Sequence, residues 1–395
     1  MTETATVDDQ EAVSAARGMW IELSDEQKQA RQQFRGFVDE HVAPHAGRWD
    51  REERLPLEIV GELRSRGYLG APLPVEAGGG GMDAIRYGLL TEELARGCSS
   101  VRTILTVHDM VTFAVWRWGS PYLKTQWVPR MARGEMLCAF ALSEPEVGSD
   151  AKSIAAQARP DGEDYVIDAH KMWISLGLVA DLFLVFARCD DQLAAFLVPA
   201  STPGLSRRPT PSVMGTRAAY IAELELAGCR VPAENLVGRV GFGFSHVAAA
   251  GLELGRYSVA WGSVGIAQAC LDACLAYTAE RRQFGVPLRD HQLVRRKLTE
   301  MIVNTRAARL LCYRAGTLRA LGDPGATMET MIAKYHASRT AARAAGDAVQ
   351  LHGANGLSDA YPVARYLRDA KVTEVIEGST QIQQITIARY PPPEL

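Results

Sequence analysis

Glu377 lies in the stretch Val375-Ile376-Glu377-Gly378-Ser379-Thr380-Gln381-Ile382-Gln383, a carboxylate between apolar residues and a glycine. A carboxylate partly stripped of water has a raised proton affinity, which suits a base that takes a proton from a carbon acid such as the α-carbon of a thioester. Glu374, three residues earlier, is expected to cap a helix or pair at the surface. Upstream, Ala141-Leu142-Ser143-Glu144-Pro145-Glu146-Val147-Gly148-Ser149-Asp150 ends an apolar strand in two hydroxyls around a glycine. Gly148 lets backbone approach a ring closely while Ser143 and Ser149 offer donors without bulk, although Gly-Ser-Asp is also an everyday turn. In His170-Lys171-Met172-Trp173-Ile174-Ser175 the indole and a hydroxyl are two residues apart, hence on one face of a strand, where they could cover a flavin or fill a β core. Arg281, Phe284 and Gln292 bring a guanidinium, a ring and an amide to the end of a long helix, the groups that phosphate and adenine contacts use; a solvated basic helix end has the same composition. Gln350-Leu351-His352-Gly353-Ala354-Asn355-Gly356 completes the set.

The elements that must position these groups fall into three parts. Residues 1–21 read as a tail. Residues 22–137 carry helical spacing, opened by Ser24-Asp25-Glu26-Gln27, a capping box. The run Ala77-Gly78-Gly79-Gly80-Gly81 lacks the Lys-Ser/Thr of a phosphate loop and is read as a flexible connector. Residues 138–240 change to short apolar runs between turn formers, such as 182–187, Asp190-Asp191, then 194–198: a β domain of hairpins. Residues 241–395 return to helix, with Val264, Ala267, Leu271 and Leu275 on one face, and Val294, Leu298, Met301 and Ile302 on another. The fold class expected is mainly α with a central β domain.

Composition narrows the function classes. Against 46 acidic residues stand 43 basic ones, a net charge of −3, so no long-range field favours nucleic acid or an anionic membrane. No run is read as reaching the roughly 20 apolar residues of a membrane span. The acidic, polar start (Met1 to Gln10) argues against a leader, and seven scattered cysteines without a Cys-x-x-Cys pair suit a reducing compartment, so a cytoplasmic protein without metal is expected.

Taken together and in this order, these segments resemble the acyl-CoA dehydrogenase family over about residues 22 to 390. The string 141–150 resembles its first signature. Gln350 through Asp369, with Gly353, Gly356, Arg365, Arg368 and Asp369 in place, resembles its second. Val147, Ala354 and Ala360 depart from the pattern without removing a chemical group. The resemblance implies an N-terminal helical domain, a middle β-barrel and a C-terminal four-helix bundle. It implies FAD, with Ser143, Gly148, Ser149, Trp173 and Ser175 on the isoalloxazine and pyrophosphate. Arg281, Phe284, Gln292, Gln350 and Gly353 would hold the AMP half across a subunit boundary, hence at least a homodimer or a homotetramer. Thr380 and Gln381 would complete the site beside Glu377, whose backbone N–H would polarise the thioester carbonyl together with a ribityl hydroxyl. Glu377 would take the α-proton as hydride passes to flavin N5. Some members carry the base on the preceding helix just before an arginine; here that position is Gly255, followed by Arg256, and Glu253 is assigned to thioester-arm contacts or solvent, with Arg256 and Gly378 also at the substrate.

A narrower resemblance concerns Arg256-Tyr257-Ser258-Val259-Ala260-Trp261-Gly262-Ser263-Val264-Gly265-Ile266, Asp290-His291-Gln292-Leu293-Val294 and Ile376 to Ser379, which look like the acyl-carrier-protein dehydrogenases of polyketide extender-unit pathways. It implies a hydroxyacyl group on an acyl carrier protein. Ser206 to Met214 departs from the Lys-rich turn of CoA-using relatives, and Arg207, Arg208 and Arg217 could attract an acidic carrier. The competing reading is a catabolic dehydrogenase of fatty or branched acyl-CoA. A flavin monooxygenase or oxidase on the same fold has no need of a thioester base, and a non-catalytic scaffold would be expected to lose the base or the flavin contacts. The electron acceptor the family implies is an electron-transfer flavoprotein.

Overall fold

The computed structural model describes residues 23–390, so the expected tail lies outside the described residues. Ser24 and Gln27 exchange bonds as a capping box should, Gln27 N–H donating to Ser24 Oγ (3.2 Å) and Ser24 N–H to Gln27 Oε1 (3.1 Å). They start α1 (Asp25–His41), whose buried face is Ala30, Phe34, Phe37 and Val38 at helical spacing. α2 (Ala46–Glu52), α3 (Leu57–Ser65), α4 (Ala84–Gly97), α5 (Ser99–Trp118), α6 (Pro121–Gln126) and α7 (Val128–Ala132) follow. The glycine run is a packed turn rather than a flexible connector. Gly81 N–H donates to Leu73 O (2.8 Å) and Gly80 N–H to Gly70 O (3.3 Å), while a Cβ on Gly79 would lie 2.4 Å from Leu73 O.

The middle of the chain forms one seven-stranded sheet. Its strands are β1 (Cys138–Ala141), β2 (Gln157–Asp161), β3 (Asp164–Ile174), β4 (Leu182–Cys189), β5 (Gln192–Pro199), β6 (Leu205–Pro209) and β7 (Ala222–Pro232). The order is β1-β4-β2-β3-β7-β6, with β5 paired to β4 across the Asp190-Asp191 turn. β4 and β5 are buried along nearly their whole length, which is why they read as continuous apolar runs rather than alternating ones.

The third part is built around α8 (Ala249–Glu280), which at 32 residues spans about 48 Å at the usual helical rise. With the turn before it, Gly243–Glu280 is long and apolar enough to cross a membrane by length and composition, contrary to the sequence reading; most of its apolar stretch is buried inside the fold. A two-stranded hairpin, β8 (Arg282–Gln283) and β9 (Val286–Pro287), leads to α9 (Gln292–Ala320), α10 (Ala326–His352), α11 (Val363–Val375) and α12 (Thr380–Arg389). Of the face expected on α8, Val264, Ala267 and Leu271 are buried, but Leu275 is exposed and Cys274 takes the inward place. Small residues set the helix spacing: Gly88 abuts the Trp261 ring, and a Cβ on Gly265 would sit 2.0 Å from Glu92 O of α4. All seven cysteines are buried free thiols.

α11 ties the three parts together. Arg365 donates to Gly97 O (3.2 Å) at the end of α4. Arg368 pairs with Asp50 of α2 and donates to Met214 O (3.0 Å), and Asp369 accepts from Thr216 N–H (2.7 Å). These second-signature residues hold the β6–β7 connection and the N-terminal helices against the helix that ends just before Glu377.

The crossing at Gly265 sets a first expectation. Gly265→Ala forces α4 and α8 apart and destabilises the protein by about 1–3 kcal/mol, the cost of overpacking. A thermal-unfolding midpoint equal to the parent's would show that this crossing yields freely.

Candidate active site

Between α11 and α12 the chain makes a turn of two left-handed residues, Glu377 (φ 55°) and Gly378 (φ 87°), before Ser379 caps α12 by accepting from Ile382 N–H (3.4 Å). A non-glycine residue with positive φ costs about 1–3 kcal/mol and persists only where its surroundings fix it. Three side chains do so. Arg256 Nε donates to Glu377 O (3.1 Å), Gln383 Nε2 to both Glu377 O and Gly378 O (3.1 Å each), and Lys334 Nζ to Gly378 O (2.7 Å). The turned backbone sends the Glu377 side chain against α8, where a Cβ on Gly255 would lie 2.7 Å from its Oε2. Although part of the residue reaches solvent, Oε2 is buried and has no hydrogen-bond partner. Burial raises the carboxyl's proton affinity above the ordinary range, and the charges of Arg256, Arg102 and Lys334 pull it back. The same burial lowers Lys334 to about 8.

The Ser143 loop and the Trp173 segment are joined to each other. Met172 N–H donates to Ser143 O (2.9 Å), and buried Lys171 Nζ donates to Leu142 O (3.1 Å) and Glu144 Oε1 (2.7 Å). Glu144 also accepts from the N–H groups of Ala155 and Ala156 (2.6 and 3.1 Å). Gly148 and Ser149 lie exposed beyond this clamp, with open space beside Gly148. Strand alternation does not place Trp173 and Ser175 as expected. The β3–β7 register slips between Lys171 and Ile174, Trp173 is left-handed (φ 64°), and Ser175 lies past the end of the strand. The indole is 56% exposed, so it does not fill the β core.

Family profiles match in series: the acyl-CoA dehydrogenase N-terminal domain over residues 24–135, the middle domain over 139–229 and the C-terminal domain over 241–390. The chain belongs to the acyl-CoA dehydrogenase family. It is 36% identical over 376 residues to the rat (Rattus norvegicus) short-chain specific acyl-CoA dehydrogenase, covering 94% of this chain and 91% of the relative. A glutaryl-CoA dehydrogenase of Mycobacterium smegmatis, solved in complex with FADH2, superposes with a TM-score of 0.89 at 29% identity over 94% of this chain and 96% of the other. The structure described as FkbI for biosynthesis of the methoxymalonyl extender unit of the polyketide FK520 superposes with a TM-score of 0.83 at 33% identity, over 91% and 98%. As an acyl-CoA dehydrogenase family member the protein is an FAD-dependent oxidoreductase.

The residues present fit that cofactor: an exposed indole beside a clamped hydroxyl loop, and open space beside Gly148, Gly285 and Gly353 where a Cβ would touch nothing. Arg281, Phe284, Gln292, Gln350 and Gly353 all lie on exposed ends of the C-terminal helices and the β8–β9 tip, Phe284 94% exposed and left-handed (φ 52°). None of them bonds to Glu377, whose carbonyl is held by Arg256 and Gln383. Thr380 Oγ1 donates to Glu374 O (3.3 Å), which stitches α12 to α11, and Gln381 is exposed. Glu374 pairs with Lys371 (2.9 Å) at the surface, as expected. Glu253 is held by Arg319 Nη1 (2.8 Å) rather than free for a thioester arm. Arg207 donates to Leu178 O and Ala180 O, Arg208 pairs with Glu223 (3.1 Å), and Arg217 pairs with Glu53, so the arginines expected to draw in a carrier are engaged within the chain. Sequence reading missed Lys171, Glu144, Lys334 and Arg102. For Lys171, Lys334 and Arg102 the one signal was a charged residue at a position whose spacing is otherwise core; Glu144, in a loop, carried none.

The clamp carries a prediction. Glu144→Ala leaves Lys171 buried without its counter-charge and is expected to cost about 3–5 kcal/mol and the bound FAD with it. Lys171→Met leaves Glu144 its two backbone donors and costs less. Comparing flavin content and melting temperature of the two variants checks that order.

Proposed function

We propose that Glu377 is the base of an α,β-dehydrogenation of an acyl thioester, and that the acyl group is a hydroxyacyl unit carried on an acyl carrier protein. The observation that carries the base assignment is the unpartnered, buried Oε2 beside Gly255: a carboxylate raised in proton affinity and left free to accept a proton from carbon. FAD, when bound, supplies the hydride acceptor. Glu377 takes the α-proton, while its own backbone N–H is presented to the thioester carbonyl oxygen by the turn that Arg256, Gln383 and Lys334 fix. Ser143, Gly148, Ser149, Trp173, Ser175, Thr380 and Gln381 hold the flavin half on this reading. The exposed Arg281, Phe284, Gln292, Gln350 and Gly353 hold the AMP half across a homodimer boundary.

The carrier-protein reading rests on the extender-unit segments around Arg256 and Glu377 and on the likeness to the methoxymalonyl extender-unit structure. On a glyceryl thioester the same step gives an enediol that tautomerises to 2-hydroxy-3-oxopropionyl thioester. The likeness to a short-chain acyl-CoA dehydrogenase favours a second reading, oxidation of a short acyl-CoA with the same residues. The electron acceptor in either case is an electron-transfer flavoprotein.

Anaerobic bleaching of the flavin separates the two. Glyceryl on a carrier protein is expected to bleach the enzyme, and rapid bleaching by butyryl-CoA instead moves the enzyme to the second reading. Glu377→Gln is expected to retain FAD and lose bleaching; full bleaching in that variant overturns the base assignment. Because the base works ionised, the acid limb of the bleaching rate should lie above the ordinary carboxylate range. Lys334→Met, which removes a charge favouring the carboxylate, should move the limb further up in pH.

A further inference from the structure

Arg207, Arg208 and Arg217 are engaged within the chain, but a second set of surface cations is not. Arg117 near the end of α5, Lys152 just past the Ser149 loop, and Arg239 in the connection from β7 to α8 are all exposed. Among the described residues they pair with no carboxylate and lie over rings instead: Arg117 over Trp118 (5.9 Å from the ring centroid), Lys152 over Phe244 (5.4 Å) and Arg239 over Phe242 (4.1 Å). The rings in turn meet each other. Phe242 and His246 are stacked, with centroids 3.9 Å and planes 7° apart, and Trp118 stands edge-on to both, 6.0 and 4.6 Å away.

Phe244 and His246 belong to a π-helical stretch, Gly243–Ala248, directly ahead of α8. Such stretches are rare and often accompany functional sites. The underside of this one is fixed: Val247 and Ala248 are buried, and a Cβ on Gly243 would lie 2.7 Å from Leu193 O of β5. Its outward side is therefore a rigid ledge of rings edged by three positive charges, which contact with the ring faces holds in place without neutralising them. The ledge is also close to the base. His246 precedes Gly255, which abuts the Glu377 carboxylate, by nine residues, about 14 Å at helical rise, and Lys152 joins the ledge to the loop of Gly148 and Ser149. A thioester on a flexible prosthetic arm can span that distance while its protein stays outside.

We infer that this ledge is the docking surface for an acidic face of the acyl carrier protein that delivers the thioester. The inference rests on the carrier-protein reading of the substrate. Charge complementarity favours that partner, because three cations without a counter-charge in their own chain are a local exception on a protein of net charge −3. A nucleotide fits the ledge less well. His246 at 3.9 Å and Arg239 at 4.1 Å from one centroid take opposite faces of Phe242, which leaves that ring no free face for adenine to stack on.

The test is anaerobic bleaching of the FAD-loaded enzyme by a glyceryl thioester on an acyl carrier protein, with glyceryl-pantetheine as the protein-free control. The parent is compared with an Arg117→Glu/Arg239→Glu variant and with an Arg117→Lys/Arg239→Lys variant that keeps the charges. Charge reversal is expected to raise the carrier concentration for half-maximal rate at least about tenfold and to leave glyceryl-pantetheine within about twofold, while the lysine variant stays near the parent. Added salt should weaken the parent's response to the carrier and spare its response to pantetheine. Unchanged carrier saturation on charge reversal, or equal losses for both substrates, would overturn the docking surface. If the reversed variant loses FAD, the parent decides the matter: a carrier response as indifferent to salt as the pantetheine response overturns the inference. Weakened saturation by glyceryl-CoA but not by the carrier would assign the ledge to the CoA phosphates and overturn the choice of partner. A parent enzyme bleached by glyceryl-pantetheine but not by the carrier-bound thioester marks failure of the carrier reading itself, whereas a parent bleached by the carrier alongside indifferent variants marks failure of the ledge alone.

Discussion

A carboxylate out of water, unpaired, against a glycine is unstable unless the backbone that carries it cannot move. Everything around Glu377 serves that restraint. The side chain reaches Gly255 only because two consecutive residues are left-handed, and they stay so because cationic and amide side chains from α8, α10 and α12 hold their carbonyls. Those helices are positioned by the glycine crossings of α8, and α11, which delivers the turn, is bonded to the N-terminal helices and the β domain at once. The cations solve two problems together. They fix carbonyl oxygens, and they limit how far desolvation raises the carboxyl, so that it can still be ionised when substrate arrives.

Much of the fold was legible because its periodicities are local. The capping box at Ser24, the alternation of apolar runs with Asp190-Asp191, and the helical spacing of Val264, Ala267 and Leu271 each state their own structure. The candidate base was legible for the same reason: an acid among apolar residues beside a glycine is visible in one line of sequence. What could not be read were relations between distant segments. Nothing near Leu275 shows that the helix turns that position to solvent, and nothing near Trp173 shows the register slip that undoes strand alternation there. The Lys171–Glu144 pair joins residues 27 apart, and Arg102 becomes notable only once it is known to be buried and to act on Glu377. Each of these residues is ordinary in isolation.

The surface arginines are a lesson in the opposite direction. Composition made Arg207, Arg208 and Arg217 attractive as docking charges, but each is committed to a carbonyl or a carboxylate in its own chain. An exposed guanidinium in a sheet of hairpins is as useful for joining loops as for recruiting partners.

The contact between Gly255 and Glu377 also constrains what residue 255 can become. A Cβ there would lie 2.7 Å from Glu377 Oε2 and from Met110 Sδ, both at the ends of flexible side chains, so even an alanine would displace the carboxylate from its present place. Where that carboxylate rests is set as much by the missing side chain at residue 255 as by the acid at residue 377.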